Sequence, residues 1–304
     1  MTTQNTPVNT SGFLAALAAF LGWGLLPMYW KQLQTVPPLE ILCHRIVWSL
    51  LFAALLVTFQ GRWRETMAPL KSVKTVGMLT VSSLLLGSNW LMYIWCVNNG
   101  HVLATSLGYY INPLMNALIG FLLLGERMTK MQALAVCFAV AGVINSIVGI
   151  GHMPWMALAI AVTFALYALM RKTAPMESLP GLLVETAIIT PLALGYLLYL
   201  QFTGHGTFLH GPGNIDLFLV GAGIATSMPL FGFAFGARRL RLTTLGILQY
   251  LAPSIAFLLG VFLYKEPFTS GSLVTFGCIW TALAIYTGES IRQVRKQRRF
   301  TKRS

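Results

Sequence analysis

Arg45 lies inside an apolar run, CHRIVWSLLFAALLV, directly after Cys43 and His44, and Glu185 lies inside another, GLLVETAIITPLALGYLLYL. Ionisable side chains in hydrocarbon persist where they pair, line a wet cavity or move charge. Sliding the sequence along itself by 140 positions, so that Pro113 meets Pro253, also brings Arg45 onto Glu185. Two chemistries fit these residues. They line a cavity and meet a charged substrate or a proton, or Arg45 pairs structurally with Glu185 or Glu40. His44 titrates near neutrality and suits a proton relay, and it equally suits a helix-packing hydrogen bond.

A second set mixes aromatics with amides. In GSNWLMYIWCVNN, Trp90 and Tyr93 are three residues apart on one helical face, with Asn89 beside them. Aromatic walls with a few placed amides suit an amphipathic organic molecule. Trp95, near the end of the run, reads as an interfacial belt residue.

A third set belongs to a stretch that the chain repeats. Under the same slide, Tyr110 meets Tyr250, Pro113 meets Pro253, Gly120 meets Gly260, Glu126 meets Glu266 and Thr129 meets Thr269. A proline within a helix frees the carbonyl four residues before it, which must find a donor or line a wet cavity. Tyr110, Asn112 and Pro113, with Gln249, Tyr250 and Pro253, are therefore candidates for the same substrate pathway. Glu126 and Glu266 close their runs and are expected to cap helices or pair locally.

Membrane-spanning helices must position these groups. Of 304 residues, 56% are hydrophobic and only 10% charged, and the mean hydropathy is +0.70. That composition excludes a water-facing globular surface and defines an all-α integral membrane class. Ten runs are near spanning length: 13–30, 39–59, 76–96, 103–124, 131–150, 154–170, 181–202, 215–236, 243–264 and 271–287. The N-terminal MTTQNTPVNT lacks a basic n-region, so the first run reads as a span rather than a cleaved signal. The four cysteines (Cys43, Cys96, Cys137, Cys278) lie in apolar runs without metal spacing and read as buried packing thiols.

Charge tests the count. Even-numbered loops hold Arg62, Arg64, Lys71, Lys74, Arg127, Lys130, Arg171, Lys172, Arg238, Arg239 and Arg241, and the tail from Arg292 adds seven more. Thus 18 of the 21 basic residues share one side, and only Lys31 and Lys265 face the other. The positive-inside rule places the basic side and both termini in the cytoplasm. The net charge of +13 then reports topology rather than nucleic acid, and the basic tail is a topology anchor.

Five crossings per half force the second half to start on the opposite side. The expected organisation is a short cytoplasmic N-terminus (1–12), one repeat over 13–150, an inverted repeat over 154–287 and a basic tail (288–304). Inverted repeats with a proline-interrupted helix point to a secondary transporter working by alternating access, its substrate near the midplane. The expected partners are a small-molecule substrate and the lipid bilayer. Gly232 and Gly236 form a GxxxG pattern, weak evidence for a homodimer and equal evidence for packing within the chain. No HExxH, GxSxG or P-loop occurs and carboxylates are few, so neither an enzyme, a metal nor another cofactor is expected. The competing classes are a lipid flippase of the same fold, a polytopic membrane enzyme and a sensory or structural membrane protein without transport.

The runs SLGYYINPLMNALIGFLLLGER, GSNWLMYIWCVNN, HRIVWS and RLRLTTLGILQYLAPS carry a further signal. From about Gly12 to Tyr286 the chain resembles the RarD group of the EamA transporters, within the drug/metabolite transporter superfamily. The resemblance implies ten helices in two inverted five-helix repeats, a bacterial cytoplasmic membrane, and export or exchange of small organic solutes such as amino acids, other metabolites or drugs. It supplies no set of site residues, so the candidates above rest on the physical reading.

Overall fold

The computed structural model describes residues 10–124, 128–150, 154–211, 213–237, 239–240, 244 and 248–301, and all regular structure among them is helical. Glu126, one of the two repeated carboxylates, lies outside the described residues. The elements are α1 (Thr10–Lys31), α2 (Pro38–Phe59), the short α3 (Trp63–Met67), α4 (Val73–Asn98), α5 (Val102–Leu124) and α6 (Lys130–Ile150). They continue with α7 (Trp155–Thr173), α8 (Ser178–Thr203), α9 (Gly213–Ala237), α10 (Leu251–Leu258) and α11 (Ser270–Thr301).

Eight described helices are long and apolar enough to cross a membrane, and two shorter apolar stretches, Trp155–Arg171 and Leu251–Leu263, overlap the remaining expected spans. Pro27, Pro113, Pro191 and Pro229 lie inside α1, α5, α8 and α9, helices whose apolar neighbours hold them despite the missing N–H groups.

The ninth expected span departs from a continuous helix. Leu248 is helical, Gln249 and Tyr250 form a turn, and α10 starts anew at Leu251. Pro253 therefore sits in the first turn of a helix, where its missing N–H is one of the orphans in any case. Of the two repeated prolines, only Pro113 interrupts the hydrogen bonding of a helix interior. Past α10 the chain widens into a π-helical turn, Leu259–Leu263, closed by Tyr264 N–H donating to the Leu259 carbonyl at 2.8 Å.

Cα packing divides the chain into two compact units. Neither is a sequence half: one takes residues up to Thr80 and Pro175–Ile255, the other Val81–Ala174 and the residues from Ala256 onward.

In the first unit, α1 packs on α9, and α2 packs on both α8 and α9. A Cβ on Gly236 would lie 2.8 Å from the Gly12 carbonyl and 2.7 Å from Ala16 Cβ, and one on Gly232 would lie 3.0 Å from the Ala15 carbonyl. The GxxxG pair thus serves close packing within the chain. A Cβ on Gly223 would run into the backbone of Trp48, so α9 also meets α2 backbone against backbone. Ala53 and Val57 of α2 pack with Leu179 and Leu183 of α8. Leu248, Leu251 and Ala252 pack against Ala16 and Phe20. Arg62 donates to Glu65 and Glu177, each at 2.6 Å, tying the start of α3 to that of α8. Partial burial works against the Arg62 charge, but the hydrogen bonds to the two carboxylates outweigh it and raise its pKa.

In the second unit, α5 packs on α7 and α6 on α11. A Cβ on Gly108 would lie 2.8 Å from the Ala157 carbonyl and 3.0 Å from Ile160 Cγ2. Asn145 Nδ2 clamps α6 to α11, donating to the Gly271 carbonyl at 2.9 Å and to Thr275 Oγ1 at 3.0 Å.

The thiols correct one sequence expectation. Cys43 and Cys96 are buried, Cys278 is half-buried and Cys137 is exposed. An apolar run in a membrane helix supplies faces for lipid as well as for the protein core, so apolarity alone does not mark the inner face.

Candidate functional site

Six of the twelve candidate residues belong to the first unit (His44, Arg45, Glu185, Gln249, Tyr250, Pro253) and six to the second (Asn89, Trp90, Tyr93, Tyr110, Asn112, Pro113).

The first unit concentrates buried polarity on α2. Glu40, His44, Arg45 and Ser49 are all buried there, and Glu185 and Thr186 are buried on α8, which packs against it. The Arg45 guanidinium lies over the Trp30 ring, 5.1 Å from its centroid, an arrangement that lets a cation shed water against a π face. Trp48 Nε1 donates to His44 Nδ1 at 3.3 Å, so the His44 ring proton belongs on Nε2. That Nε2, Trp30 Nε1 and Ser49 Oγ are buried without hydrogen-bond partners. Glu40 is engaged with the α8–α9 loop. Its carboxylate accepts the N–H of Thr207 at 2.7 Å, the Thr207 hydroxyl at 3.1 Å and the N–H of Phe208 at 3.4 Å. The loop is thereby held down on α2, and the Phe208 ring packs on His44 at 4.8 Å between centroids.

At the broken ninth span, Gln249 is exposed, Tyr250 half-buried and Pro253 buried. The Tyr250 carbonyl accepts both the N–H of Ser254 at 3.1 Å and its hydroxyl at 2.7 Å.

In the second unit Asn89 is 1% exposed, and its Nδ2 donates to the Ile160 carbonyl and to Thr163 Oγ1, both at 2.9 Å. This amide joins α4 to α7. Trp90 and Tyr93 are buried, and Tyr93 packs on Tyr109 at 5.7 Å. Tyr110 packs edge-on against Phe276 at 6.4 Å and Trp280 at 6.3 Å of α11. Asn112, beside Pro113, is buried with its Oδ1 lacking a hydrogen-bond partner.

Trp30 and Ser49 are polar sites that sequence reasoning missed. Trp30 ends its apolar run, where tryptophan ordinarily marks the lipid interface, and a single serine in such a run carries little signal. The slide that pairs Arg45 with Glu185 gave no hint of either.

Helices of spanning length with charged groups buried among them define a multi-pass membrane protein. The EamA-like transporter family model matches residues 10–148. The chain is 44% identical to an uncharacterized transporter, YojE, of Bacillus subtilis (strain 168), over 92% of this chain and 95% of that protein. It is 42% identical to the protein RarD of Escherichia coli (strain K12), over 94% of this chain and 96% of its relative. A protein of known crystal structure shares the fold, with a TM-score of 0.56 over 93% of this chain and 99% of that one at 21% identity. The chain belongs to the RarD group of the EamA family, in the drug/metabolite transporter superfamily.

Proposed function

We propose that the chain is a secondary transporter of small organic solutes such as amino acids, other metabolites or drugs. It crosses a bacterial cytoplasmic membrane ten times, as two inverted five-helix repeats that exchange conformations in alternating access, with both termini in the cytoplasm. The observation that carries this reading is the similarity, along more than nine-tenths of the chain, to proteins that bear the transporter name.

Packing supports the repeats. Leu248 packs against Ala16 and Phe20, and Gly108 closely approaches Ala157 and Ile160. Sliding by 140 positions turns Phe20 into Ile160 and Gly108 into Leu248, so one contact occurs twice with the halves exchanging roles. The broken helix at Gln249–Tyr250 supports a transport site, because discontinuous helices supply backbone groups to substrates and ions. The partition of basic residues supports cytoplasmic termini.

Purified protein in liposomes should accelerate movement of at least one labelled solute from a broad metabolite and antibiotic panel over protein-free liposomes. If nothing in the panel moves, the transport assignment fails.

A further inference from the structure

Three buried polar atoms without hydrogen-bond partners in the first unit can all donate, Trp30 Nε1–H, Ser49 Oγ–H and His44 Nε2–H, and the first two belong to residues beside Arg45. Trp30 and Ser49 are 0% exposed, and Arg45 is 5% exposed. Ser49 is one turn along α2 from Arg45, on the same face, and Trp30 lies directly beneath the guanidinium. Leaving a buried donor unmade costs about 1–3 kcal/mol, so side chains that leave several in one place are best explained by an acceptor that arrives from outside.

We propose that Trp30, Arg45 and Ser49 form a binding site for the carboxylate group of an organic anion. This deepens the transporter reading and rests on it. A carboxylate is acceptor-only, with two oxygens and about four lone-pair positions, and its negative charge is complementary to the Arg45 guanidinium. The indole N–H and the serine hydroxyl donate to those lone pairs beside the Arg45 charge. An ammonium group is repelled by Arg45 and finds only weak acceptors in the hydroxyl and the ring. A neutral amide brings N–H groups of its own into a place already rich in donors. The Glu40 clasp bears on the same end of α2 by seating Phe208 on His44.

The test compares matched probes on the full-length protein. Benzoate, 3-phenylpropionate and succinate are each measured beside the corresponding amide, for binding to purified protein by calorimetry and for transport in liposomes. At least one acid should bind about tenfold or more tightly than its amide, the discrimination of a hydrogen-bonded charge. Trp30→Phe keeps the ring and removes the N–H, and Ser49→Ala removes the hydroxyl. Neither removes a charge, so both should fold, and each should weaken the acid by about tenfold while leaving the amide unchanged. Arg45→Gln should abolish the preference.

Equal binding of every acid and its amide overturns the proposal, as does an acid preference untouched in both conservative variants. The two readings fail separately. Acids that bind with this pattern but never cross leave the site standing and remove the transporter. Acids and amides that cross alike, unaffected by Trp30→Phe and Ser49→Ala, leave the transporter and remove the site.

Discussion

The Glu266 carboxylate accepts the backbone N–H of Val102 at 2.6 Å and of Leu103 at 2.8 Å, so the repeated acidic residue caps the first turn of α5. Those N–H groups have no partner within the helix, and a negative charge at a helix N-terminus is favourable. The chain is shaped to deliver the carboxylate. Gly260 lets the backbone approach Leu103, where an added Cβ would lie 2.9 Å from its Cδ2. The π turn adds one residue, Lys265 adopts a left-handed φ of 51°, and Glu266 N–H returns to the Gly260 carbonyl at 2.9 Å. Under the slide Lys265 falls on Gly125, the residue type that takes this conformation without strain.

Glu266→Gln keeps the shape but removes the charge and one acceptor oxygen. It should destabilise the protein by about 2 kcal/mol, the worth of a hydrogen bond to an ionised group. Thermal unfolding in detergent reads this directly, and an unchanged melting temperature would discard the cap as a stabilising contact.

Asn89→Ala removes the amide that joins α4 to the Ile160 carbonyl and Thr163. The expected loss is about 1–3 kcal/mol, because part of the buried carbonyl's hydrogen bonding goes unmade. Detergent unfolding should show that loss, and a variant as stable as the parent would leave Asn89 free to serve a ligand instead.

Gly236→Val places a branched side chain where even a Cβ meets Ala16 at 2.7 Å. Overpacking of this kind costs about 1–3 kcal/mol. The melting temperature should fall while the oligomeric state in light scattering stays that of the parent. A change of oligomeric state with the melting temperature preserved would move the GxxxG pair to an interface between chains.

Glu185→Gln tests whether the buried carboxylate on α8 carries protons. If it does, transport in liposomes should lose its dependence on a pH gradient while exchange of solute against solute continues. A pH response equal to the parent's would remove Glu185 from the proton path.

Much of the helix layout was legible because apolar run length is a property of contiguous residues: the runs at 13–30 and 39–59 became α1 and α2 within a few residues. Glu266 as a cap was legible from its place at the end of an apolar run. The ninth span was not. Its apolar run reads straight through Gln249 and Tyr250, and the prominent proline falls just past the turn, in the first turn of the helix that follows. Asn89 and Cys137 were also ambiguous, because residue type does not say whether a helical face meets another helix, a ligand or lipid.

Composition and hydrophobic run length by themselves determined that this chain lives in a membrane as helices, since hydrocarbon leaves a backbone no other way to satisfy its own hydrogen bonds within one segment. The order of residues also carries the pattern that recurs after 140 positions and places His44, Arg45 and Glu185 inside apolar runs. Only the tertiary structure decided how those groups are partnered. It gave Glu40 to Thr207 and Phe208, set Arg45 over Trp30, and left Trp30 and Ser49 with donors to offer. Each of these depends on how one helix is set against another element, which side-chain packing fixes and local pattern does not.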